Sequence, residues 1–129
     1  MLGLDTNVLV RFLVRDDASQ FAAARRVVGE RRAAGELLFV SLLVLLETEW
    51  VLRSRYGLDK KVIAHTIDQL LAAAEVVIED GSTVEEALFE WKDAAADFAD
   101  CLIGARNRRA GCRATVTFDT RAARLPGFV

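Results

Sequence analysis

The sequence predicts an α/β protein with a central, mainly parallel sheet and helices on both faces. Short apolar runs alternate along the chain with longer segments whose apolar residues recur at helical spacing. The 129 residues are one domain's worth of chain, and with 53% of them apolar they can bury a real core. No internal repeat, linker or low-complexity tail interrupts them, so residues 1–129 read as a single domain.

Leu2-Gly3-Leu4 is a short apolar strand that stops at Asp5, and Val8, Leu9, Phe12 and Leu13 then follow helical spacing. Ser19 is read as the N-cap of a helix through Ala34, with Phe21, Ala24, Val27 and Val28 inward and Gly35 ending it. Leu37 to Val40 is a buried strand. Ser41 caps a helix from Leu42 to about Arg55, which Tyr56-Gly57 terminates. Asp59 caps the next helix, whose apolar stripe is Ile63, Ile67, Leu70 and Leu71. Val76 to Ile78 is strand-like, and Asp80-Gly81 turns the chain. Thr83 and Glu86 have the spacing of a capping box for a helix carrying Ala87, Leu88 and Trp91. A last long helix runs from about Asp97 to Ala110 and stops at Gly111. Ala114 to Thr117 is a strand, and Leu125-Pro126-Gly127 breaks the chain before Phe128-Val129.

Formal net charge is −2, from 17 Lys and Arg against 19 Asp and Glu, so there is no polybasic signature of nucleic-acid binding. Fourteen of the 17 cations are Arg, the better partner for phosphate and carboxylate. Cys101 and Cys112 are too few for a disulfide framework or a Cys-built metal site. An acid at position 5 and the lack of a basic n-region argue against a signal peptide. The most apolar stretch, Leu37 to Leu46, is half the roughly 20 residues of a membrane helix, so a soluble, cytoplasmic protein is expected. The chain has no GxxxxGK[ST] phosphate loop, GxSxG elbow or HExxH pair, and its one histidine, His65, reads as structural.

In parallel α/β sheets ligands sit beyond the carboxyl ends of the strands. Asp5 follows the first strand and Asp119 follows the run ending at Thr117. Either alone is equally well explained as a turn-former or cap. Glu47 has Leu43, Val44, Trp50 and Val51 as its helical neighbours, so on a buried face it must be paired, protonated or metal-bound. Glu49 has Arg53 four residues on and reads as the solvated member of the two. Asp97 and Asp100 lie three apart on one helical face, where capping and the helix dipole are the plainer explanation. Three to five carboxylates converging at one sheet edge would need a cation, and oxygen donors suit Mg²⁺ or Mn²⁺.

Four stretches carry a more specific signal: Leu4-Asp5-Thr6-Asn7-Val8-Leu9, Val44-Leu45-Leu46-Glu47-Thr48-Glu49-Trp50-Val51-Leu52, Asp97-Phe98-Ala99-Asp100-Cys101-Leu102-Ile103-Gly104-Ala105 and Thr117-Phe118-Asp119. In this order and spacing they resemble the PIN-domain family, and within it the VapC-type toxin ribonucleases. The resemblance covers nearly the whole chain. It implies a three-layer α/β/α sandwich and an enzyme that hydrolyses RNA with Mg²⁺ or Mn²⁺. By motif it carries the four acids over to Asp5, Glu47, Asp100 and Asp119, with Asp97 as an additional acid at the metal. Asn7 and Thr117 match polar positions that orient the first and last acids, and Ser41 matches a polar position at a helix start; capping explains all three as well. Cys101 stands where the family usually has a small apolar residue, and the terminal strand is short.

The resemblance implies endonucleolytic cleavage of single-stranded or loop RNA in tRNA, rRNA or mRNA, leaving 5′-phosphate and 3′-hydroxyl ends. It also implies a homodimer and inhibition by a small VapB-like antitoxin. Arg121 and Arg124, just past Asp119, are candidate RNA contacts; Arg106, Arg108, Arg109 and Arg113 read equally as a solvated basic helix end. Two other readings compete. A haloacid-dehalogenase-type Mg²⁺ phosphatase also places an Asp after its first strand, but needs a second Asp where Asn7 stands. A non-catalytic binding module would use the same acids only as caps and surface pairs.

Overall fold

Parallel pairing of three short apolar runs sets up the first part of the chain. A computed structural model describes residues 1–15 and 18–129, which form two compact units, 1–79 and 80–129. In the first unit the strands are β1 (Leu2–Gly3), β2 (Leu38–Val40) and β3 (Val76–Ile78), in the order β1-β2-β3 and parallel throughout. Leu2 pairs with Leu38, and Leu38 with Val76. The connections carry α1 (Thr6–Val14) and α2 (Ala18–Ala33), then α3 (Leu42–Ser54) and α4 (Lys60–Ala72). Leu9, Leu38, Val40, Leu45, Leu52 and Ile63 are the buried heart of this unit.

Each helix start has a local cause. Asp5 is the N-cap of α1, and its Oδ1 accepts the Thr6 N–H at 2.9 Å. Ser41 caps α3 by accepting from Val44 N at 3.2 Å, and Asp59 caps α4 by accepting from Val62 N at 3.0 Å. Ser19, expected as a cap, lies inside α2; the position before Ala18 is outside the described residues. Gly57, at φ +63°, supplies the left-handed turn after α3. The aromatic pair Phe12–Phe21, centroids 6.2 Å apart, joins α1 to α2, although Val27 on α2 is exposed rather than inward.

In the second unit α5 (Gly81–Asp93) and α6 (Phe98–Arg109) pack through Val84, Leu88 and Trp91 against Phe98 and Leu102, with the Trp91 and Phe98 rings 5.1 Å apart. The expected capping box does not form. Asp80, at φ +51°, occupies the N-cap position without a side-chain bond, and the helix begins at Gly81. That early start buries Thr83 within the first turn and turns Glu86 toward Arg108, 2.7 Å away, and Arg109, 3.3 Å away. Arg108 also bonds Glu90 and the Pro126 carbonyl, so it is a clamp rather than part of a solvated basic face. The strand expected over 114–117 is reduced to one parallel bridge, Thr115 to Phe128, extended by Thr117 N to the Val129 carbonyl at 3.0 Å. Its partner segment offers too few residues for a full ladder. A Cβ on Gly104 would meet the Phe128 ring at 2.5 Å, so this glycine admits the terminal segment to α6.

Among the described residues no helix is long and apolar enough to cross a membrane. Asp59→Ala, which removes a cap without touching a core side chain, is expected to cost about 1 kcal/mol of stability in a urea titration.

Candidate active site

Continuing the sheet register past the strand ends puts Asp5, Ser41 and Glu79 at one level along the carboxyl edge. All three serve helix starts. Ser41 and Glu79 converge on α3, where Glu79 Oε1 accepts the Leu42 N–H at 2.9 Å. Asp5 is exposed and spends one oxygen on Thr6, which leaves the other uncommitted among the described residues. Asn7 is exposed on α1 and makes no hydrogen bond to Asp5. Glu79 was not among the sequence candidates; the signal that could have found it is the one that found Asp5, an acid directly after a strand.

On α3 the expected roles of the two glutamates are exchanged. Glu47 is exposed, whereas Glu49 is 4% exposed and held by Arg53 Nε at 3.2 Å. The buried residues Leu45, Thr48, Glu49 and Leu52 define the inner face. The helix is apolar on nearly every side, so apolar neighbours did not reveal which side is inside. Being solvated, Glu47 needs no partner, and its candidacy rests on its place in the motif.

The second unit brings Asp97, Asp100 and Asp119 together. Asp97 is the N-cap residue of α6, with extended backbone but no side-chain cap bond. Asp100, in the first turn, accepts from the Asp97 backbone. Asp119 Oδ1 accepts from Arg121 N at 2.8 Å and Ala122 N at 3.1 Å, starting the short 3₁₀ helix η1 (Ala122–Arg124). Thr117 Oγ1 accepts from Asp119 N at 3.0 Å and so braces the residue. Arg121 reaches Asp97 at 3.9 Å. Burial first, and then the like charges of Asp119 and Asp97, push the Asp100 carboxyl above the usual carboxylate range against the pull of the Asp97 N–H and Arg121. The Ala122 and Arg121 N–H groups hold Asp119 below that range.

Among the described residues no three His, Cys, Asp or Glu side chains close into a metal-holding group. The donors still fit a hard cation of the Mg²⁺ kind, which keeps most of its waters and uses one or two carboxylates. The repulsion on Asp100 and the uncapped Asp97 carboxylate are what such a cation would relieve.

The PIN domain family model matches residues 3–127, across both units. The chain belongs to the PIN domain family. It has the PIN-like α/β fold, as its sequence predicts. The VapC resemblance of the motifs is matched by a VapC ribonuclease of Aquifex aeolicus, 26% identical over 125 residues, or 97% of this chain and 91% of that one. A solved structure, the Mycobacterium tuberculosis VapC20, a sarcin-ricin loop cleaving toxin, aligns over 95% of this chain and 93% of its own at 23% identity and TM-score 0.44.

In this PIN domain partial burial and the like charges of Asp119 and Asp97 disfavour the ionised form of Asp100. Its raised pKa means the fold favours the protonated form. Its contribution to stability is present below the ordinary carboxylate pKa and is lost as pH rises through the raised value. Asp100→Asn is therefore expected to stabilise the metal-free protein at neutral pH by about 1 kcal/mol. It should also flatten the fall in melting temperature as pH leaves the carboxylate range, read by thermal denaturation in EDTA.

Proposed function

We propose that this PIN domain is a metal-dependent endoribonuclease of the VapC toxin type, cutting single-stranded or loop RNA. The observation that carries the reading is the grouping of Asp97, Asp100 and Asp119, with Arg121 as their nearby cation. An acid that repels its neighbours is costly to keep unless it serves a cation. Family membership and the VapC ribonuclease relative support the same reading. They do not favour a phosphatase of haloacid-dehalogenase type or a silent binding module.

Asp100, Asp119, Asp5 and Glu47 would hold Mg²⁺ or Mn²⁺, with Asp97 assisting directly or through water. The cation, when bound, supplies Lewis-acid stabilisation of phosphate charge and makes water a better nucleophile. The chain's own contribution is placement. The Arg121 and Ala122 N–H groups fix one Asp119 oxygen, and Thr117 fixes its backbone. The Thr6 N–H fixes one Asp5 oxygen. Arg121 and Arg124 would counter the repulsion between acidic site and RNA backbone.

A small VapB-like antitoxin would neutralise the enzyme, an arginine on it pairing with the same carboxylates. Leu43 and Trp50, both well exposed on α3, offer apolar surface for a homodimer. The reading also places the protein in the cytoplasm with its RNA. Wild-type protein with Mn²⁺ or Mg²⁺ is expected to cleave total RNA, and EDTA to stop it. Asp5→Ala and Asp119→Asn should each lower the rate by roughly 100-fold or more. Undiminished cleavage by both variants, or turnover of a small phosphomonoester without RNA cleavage, would sink the assignment.

A further inference from the structure

The second unit contains a cavity of about 510 Å³ that the four motifs do not include. Its lining includes Phe89, Glu90 and Asp93 from α5 and, later in the chain, Arg121, Arg124 and Pro126. Phe89 is 77% exposed, so its ring is open to a ligand. Among the described residues the Arg124 guanidinium has no hydrogen-bond or ion-pair partner. Of the two acids in the lining, Glu90 is engaged through one oxygen by Arg108, and Arg121 is paired with Asp97 outside the cavity, which leaves Arg124 as its unpaired cation. The cavity also shares an element with the candidate site. Asp119 holds the N–H groups that start η1, and Arg121 both lines the cavity and reaches Asp97.

Resting on the ribonuclease reading, we propose that this cavity is a nucleotide subsite, taking one base of the RNA strand that flanks the scissile phosphate. Phe89 stacks on the base, and Arg124 contacts the phosphate beside it. An aromatic face and a free guanidinium at the edge of an acidic group are what a single strand needs: stacking accepts any base, and the cation tracks the backbone. The volume lies within the range of small-ligand pockets and suits one nucleotide better than a folded partner. The side chains needed are exposed, so they can be changed without disturbing the core.

The test uses a labelled single-stranded RNA of about ten nucleotides. Binding is read by anisotropy in EDTA, and cleavage by KM and kcat with Mn²⁺. Phe89→Ala and Phe89→Leu are expected to weaken binding roughly 10-fold and raise KM alike, with Phe89→Trp restoring both. Arg124→Ala is expected to weaken binding and to reduce the salt slope by about 1. If wild-type protein cleaves this RNA while Phe89→Ala and Arg124→Ala match it, the subsite is wrong, the ribonuclease reading stands, and the cavity falls to a protein partner. Full activity in Phe89→Leu overturns stacking and with it the subsite. Wild-type protein that neither binds nor cleaves RNA overturns both readings together.

Discussion

Parallel register is the constraint from which much of this molecule follows. Because β1, β2 and β3 run the same way and start in step, their carboxyl ends finish together, and the chain must leave each strand at the same edge. What leaves there is a helix start in need of acceptors for its first N–H groups. Asp5, Ser41 and Glu79 answer that need. The edge where a ligand would be met is thus also the edge where acidic and hydroxyl side chains are structurally required.

This double use explains why the acids were ambiguous in the sequence. Asp5 and Asp119 each commit one oxygen to backbone N–H groups, so capping and cation binding are not rival explanations for them. One carboxylate oxygen can do the first while the other remains for the second. Asp97 differs: it has the cap position and the cap backbone without the cap bond. Position alone would not have separated it from Asp5.

Much of the fold was legible from spacing. The alternation of short apolar runs and helical stripes located the three strands, and Asp59, Ser41 and Gly57 punctuated helices as their chemistry demands. Misreadings arose where local signals were degenerate. On α3 apolar residues occupy nearly every side, so Glu47 and Glu49 could not be assigned to faces by their neighbours. Thr83 and Glu86 have capping-box spacing, but Asp80-Gly81 starts the helix earlier and Arg108, 22 positions from Glu86, claims the glutamate. A partner that distant in sequence leaves no local trace. Net charge averages over unlike populations: setting aside the four or five acids of the proposed metal site leaves 14 or 15 against 17 cations, a mildly basic, arginine-rich remainder.

The two tryptophans fall one to each unit and into opposite surroundings. Trp50 stands in water on α3, 59% exposed, and Trp91 lies 3% exposed against Phe98. The protein therefore carries two native optical reporters, a red-shifted emitter in residues 1–79 and a blue-shifted one in residues 80–129. Their emission separates the melting of one part of the chain from that of the other without any label. Coincidence of the two signals in a denaturation curve is the mark of a single cooperative domain.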